Sequence, residues 1–86
     1  MTKIGPNVVP YLNRVREAYV EELGAVPYAR AEGYRVQAEM LREARERTDT
    51  AIRDAIAAGA VKSHIHSVGL KTSNPNRVYR VAGENK

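Results

Sequence analysis

The stretch Thr48–Ala82, TDTAIRDAIAAGAVKSHIHSVGLKTSNPNRVYRVA, decides the fold. Its opening Thr48-Asp49-Thr50 offers side-chain oxygens suited to capping a helix. Ile52, Ala55 and Ile56 then recur on one helical face, and Gly59 supplies a stop. Beyond Gly59 the period changes. Val61, Ser63, Ile65 and Ser67 alternate with Lys62, His64, His66 and Val68, which is the period of a strand. Residues 71–76, KTSNPN, are rich in turn formers, and Arg77, Val78, Tyr79, Arg80 and Val81 follow as a second short strand. The pattern predicts a helix over about 48–58 and a two-stranded hairpin over 61–82.

Upstream, two more helices are expected. Leu12, Val15, Tyr19 and Leu23 recur at helical spacing after Asn7 and Pro10, and Gly24 followed by Pro27 marks the end of the first helix. The second starts near Pro27 or after Gly33, with Val36, Met40, Leu41 and Ala44 as its apolar stripe. Arg35, Glu39, Arg42, Glu43, Arg45, Glu46 and Arg47 form its charged outer surface. Two readings of 34–58 stand: a break at Thr48, or one unbroken helix, since no Gly or Pro interrupts the stretch. The break is adopted here. Residues 1–7 and 83–86 are expected to fray. The predicted fold class is therefore α+β, mainly α: one domain over 1–86, with three helices followed by a C-terminal two-stranded β-hairpin.

The composition narrows the function classes. The 86 residues contain no Cys, which removes disulfides, thiolate metal sites and cysteine nucleophiles together. No apolar run approaches the ~20 residues of a membrane span, and the first residues lack the apolar centre of a secretion signal. A cytoplasmic protein is expected. The formal charge is +4, and its distribution says more than its size. Residues 1–54 hold nine Lys and Arg against nine Asp and Glu. From Ala55 to Gly83 there are Lys62, Lys71, Arg77 and Arg80, with no acid at all. A localised basic surface points to a polyanionic partner.

The stretch from Gln37 onward, QAEMLREARERTDTAIRDAIAAGAV followed by the hairpin, resembles bacterial and phage winged helix-turn-helix regulators. In that family a support helix and a recognition helix precede a Gly-ended segment and a β-hairpin wing. The resemblance covers about half the chain and implies binding to double-stranded DNA. It implies groove contacts from Arg47, Thr48, Thr50 and Arg53, with Asp49 capping the helix or accepting from cytosine. It also implies contacts to phosphate or the minor groove from Lys62, Lys71, Ser73, Asn74, Asn76 and Arg77 on the wing.

Other chemistry has little support in the sequence. His64 and His66 point the same way in a strand, but without a third ligand they make a weak metal site. There is no Gly-rich phosphate loop, no nucleophile motif and no isolated carboxylate pair, so no catalysis, metal, cofactor or small-molecule substrate is expected. The competing reading is a protein-interaction module, dimeric through Leu12, Val15, Tyr19 and Leu23 of the first helix, because a fold does not fix a function.

Overall fold

The computed structural model describes the backbone of residues 4–31 and 34–83, with side chains throughout except at 26–31 and 34–38. Two long helices dominate: α1, Val9–Ala31, and α2, Tyr34–Ala57. Each rises about 35 Å at 1.5 Å per residue. They pack antiparallel, with Arg14 near Asp54 at one end and Glu21 near Arg47 further along. The C-terminal segment folds against one side of this hairpin as α3, Lys62–His64, a π-helical turn, Ile65–Gly69, and α4, Asn76–Val81. Residues 1–3 and 84–86, parts of the two expected frayed ends, lie outside the described residues.

Both boundary expectations in the long helices are corrected. The first helix does not stop at Gly24 but continues through Pro27 to Ala31. The second does not break at Thr48-Asp49-Thr50. The reason is visible in those residues. The fully buried Thr48 donates its hydroxyl proton to the carbonyl of Ala44, 3.1 Å away, which satisfies a polar group inside a helix without ending it. Asp49 turns outward to a tertiary partner described below. The polar triad serves packing rather than capping.

The expected β-hairpin is absent: among the described residues there is no strand, and both intended strands are helical. The turn after α2 is a Schellman motif. Gly59, at φ +94°, donates its N–H to Ile56, and Ala60 donates to Ala55 across six residues. Buried Ala60 then rests beside buried Ala55, and the chain enters a helix instead of a strand. Within 60–70 the buried residues are Ala60, Ile65, Gly69 and Leu70. Ile65 and Gly69 are four apart, and the π turn brings Leu70 in as well because its N–H reaches back five residues to the carbonyl of Ile65, at 3.1 Å. Val78 and partly buried Val81 are three apart, which puts them on one helical face and would put them on opposite faces of a strand. Short apolar runs fit both periods, and an isolated two-stranded hairpin has little stability of its own.

The core gathers Val8, Leu12 and Val15 from α1 with its entry, Ala51, Ile52 and Ala55 from α2, and Ala60, Ile65, Leu70 and Val78 from the C-terminal segment. Of the four residues assigned to a dimer interface, Leu12 and Val15 are core residues, Tyr19 is half-buried and only Leu23 is exposed. Leu12 and Val15 are thus occupied within this chain, and Leu23 is the residue of the four most open to a partner.

Gly69 is the point of closest approach. A Cβ added there would sit 2.6 Å from Cγ1 of Val15, a side chain with no free space around it. In an open helix, Gly→Ala stabilises by about 0.5–1 kcal/mol. Here overpacking reverses the sign, and Gly69→Ala is expected to destabilise by about 1–2 kcal/mol in urea unfolding. A stabilised variant would show that the approach is looser than described.

Candidate functional site

The acid-free segment makes a surface out of α3, the connecting turn and α4. The turn is built from its own side chains. His66 donates from Nδ1 to the carbonyl of Thr72 at 2.8 Å, and the Thr72 N–H returns to the carbonyl of His66 at 3.0 Å. Thr72 Oγ1 accepts from the N–H of Asn74, and Asn74 Oδ1 accepts from the N–H of Asn76 at 3.0 Å, an Asx turn that launches α4. Lys71 sits in the left-handed region at φ +50°, a place usually given to Gly, so the bend is held at some strain. The TSNPN stretch is a turn, as its composition predicts, but it joins two helices instead of two strands.

Outward from this turn stand the exposed side chains of Lys71, Ser73, Asn74, Asn76, Tyr79 and Arg80. Tyr19, Leu70, Thr72, Asn74, Asn76, Arg77 and Arg80 line a shallow cleft of about 280 Å³ beside them. The segment itself offers amides, hydroxyls and cations without a carboxylate, while Arg80 borders a second cleft that Glu22 and Asp49 of the long helices also line.

Arg77 is the exception. It turns inward, its side chain 19% exposed, and its two terminal nitrogens donate to both oxygens of Glu22 at 2.6 and 2.7 Å. Its Nε donates to Asp49 at 3.0 Å, and Nη2 also reaches the carbonyl of Arg45 at 3.3 Å. The guanidinium lies 5.8 Å from the centre of the Tyr19 ring. These bonds, the pair to Glu22 foremost, hold its pKa above the ordinary arginine value despite burial. One residue of α4 thus ties together α1 and α2, while Glu22, polar and buried, has both oxygens occupied.

The structure therefore divides the residues singled out from sequence. It brings together Lys71, Ser73, Asn74 and Asn76, with Arg77 directed to the interior behind them. Thr48 is buried and cannot reach an outside ligand. Arg47 and Thr50 lie on the far side of α2 from Arg77: Arg47 stands 3.8 Å from Glu21, and both line a groove with Arg14 and Asp54. Arg53 is exposed near the C-terminal end of α2, away from its start, and Lys62 opens α3. The recognition helix expected over 48–58 is thus corrected to part of a continuous helix. Sequence reasoning missed Glu22, Tyr79 and Arg80. The signal for the last two was the three-residue spacing of Val78 and Val81. Nothing local marks Glu22, whose partner is 55 residues away.

Among the described residues, no group of three His, Cys, Asp or Glu stands close enough to hold a metal ion, and no helix is long and apolar enough to cross a membrane. No protein-family model matches the chain, and comparison with curated proteins and with solved structures gave no significant match.

Proposed function

We propose that the protein binds double-stranded DNA through the α3–turn–α4 unit, with α4 facing the groove, and acts by binding rather than catalysis in the cytoplasm. The helical run over 62–69 and α4, joined by residues 70–75, have the element order of a helix-turn-helix with a longer connection, placed later in the chain than the sequence suggests and without a wing. The observation that carries the reading is the exposed surface of Lys71, Ser73, Asn74, Asn76, Tyr79 and Arg80, in a stretch without one acidic residue. Amides and guanidinium groups are the side chains that discriminate base edges, and Lys and Arg meet phosphates.

The test is a salt titration of binding to duplex DNA. Affinity is expected to fall steeply with salt, and Lys71→Ala with Arg80→Ala to reduce the log–log slope by about 1.8 if each neutralises one phosphate. An unchanged slope in the double variant would remove this surface from the interface.

A second reading, a protein-docking module, is supported by a different surface. Val20, Leu23 and Met40 are each 49% exposed on the part of the α1–α2 hairpin beyond the C-terminal segment. In that reading duplex binding is absent even at low salt.

A further inference from the structure

We infer that Glu22 and Asp49, far from the turn in sequence, are positioning residues that set the rotation of α4 and with it the direction of the DNA-facing side chains. The inference rests on the reading of α3–turn–α4 as the duplex-binding unit. α4 has six residues and one buried side chain, Val78. A helix that short has no stability of its own. Val78 and half-buried Val81 seat one apolar edge of α4, a narrow contact that restrains its roll only weakly. The second anchor is the neighbouring Arg77. Its planar fork meets Glu22 with two parallel bonds while Nε meets Asp49, so three donors in one plane are fixed by two helices. Asn76 and Arg80 are four apart and share a face adjoining that of Arg77. The roll that Arg77 fixes is the roll that aims them.

This assigns to an acidic residue of α1 a favourable role in binding a polyanion, opposite in sign to what charge alone dictates. Removing a carboxylate from a basic protein ordinarily raises its affinity for DNA. The experiment uses the full chain and a duplex enriched by the wild-type protein from a random-core library, beside an unselected mixed-sequence duplex. Glu22→Gln is expected to lower affinity for the enriched duplex by about tenfold, the size of one lost base contact, with little change or a rise for the unselected one. A parallel rise for both duplexes overturns the inference. Asp49→Asn breaks the more exposed of the two pairs and carries the same test if Glu22→Gln does not fold.

Hydrogen exchange separates this inference from the DNA reading itself. In Glu22→Gln the amides of Tyr79 and Ala82, which donate to Pro75 and Val78, are expected to exchange about tenfold faster, with those of Leu12 and Ile52 unchanged. If the wild type enriches no duplex, the DNA reading fails and the exchange result alone decides the positioning role. Unaltered exchange in α4 overturns it.

Discussion

Val15→Asp is expected to unfold the protein. Val15 has no exposed surface, and its methyl groups meet Gly69 at the tightest point between α1 and the π turn. A carboxylate there would be shut off from water, and the guanidinium of neighbouring Arg16 is directed to the carbonyl of Gly69, 3.5 Å away. Burying an unpaired charge costs several kcal/mol at least, while a domain of this size has about 4–13 kcal/mol in total at 0.05–0.15 kcal/mol per residue. The far-ultraviolet helix signal should be largely lost at 25 °C. Leu23→Asp, on the same helix but half exposed, should leave stability within about 0.5 kcal/mol. The pair separates two accounts of helix one. If its stripe joined two chains, Val15→Asp would give a folded monomer; a folded Val15→Asp would contradict the packing described.

The second large effect belongs to Arg77. Arg77→Ala leaves Glu22, with a side chain 8% exposed, without either bond to its oxygens, and uncovers the Tyr19 ring. Breaking a buried pair from one side strands the other charge, and the expected cost is about 3 kcal/mol. For a chain of this length that lowers the melting temperature by roughly 12–20 °C. Replacing Arg77 and Glu22 together by Met and Leu should recover most of the loss, since an apolar pair of similar size needs no charge partner, and Asp49 remains within reach of water. A single variant within 1 kcal/mol of wild type would mean that the ion pair is solvated in practice. In the proposed reading, Arg77 affects binding through the fold, where a wing-tip residue would act through a phosphate.

The helical hairpin was legible because its signals are long. Leu12, Val15 and Tyr19 repeat over several turns, and no breaker interrupts 34–58, yet the local polarity of Thr48-Asp49-Thr50 decided the reading in favour of a break that α2 does not have. Those three residues misled because capping and back-bonding use the same side chains; only the tertiary setting, Ala44 for Thr48 and Arg77 for Asp49, tells the two apart. The C-terminal segment was misread for a different reason. In VKSHIHSV the apolar positions 61 and 65 fit both a strand face and a helix face, and β-branched residues tilt the choice. Burial of Ile65, Gly69 and Leu70 against α1 settles it, and that surface is specified dozens of residues away. Residues 71–76 were expected to connect two strands; residues 71–75 do form a connection, but between helices, and Asn76 opens α4. The basic character of the segment was legible as composition, but the removal of Arg77 from the surface was not, since it depends on Glu22.

The Arg77 bridge also gives the fold an order in time. Glu21 meets Arg47 across the two long helices over 26 residues, while Arg77 closes on Glu22 across 55 residues and on Asp49 across 28. Loop closure is entropically costly and is repaid only after the hairpin that carries both carboxylates exists. The bridge therefore belongs to the late side of the folding barrier, where an interaction leaves the folding rate nearly untouched and slows escape from the native state. In kinetic terms Arg77 is expected to act as a latch, with Arg77→Ala speeding unfolding far more than it slows folding.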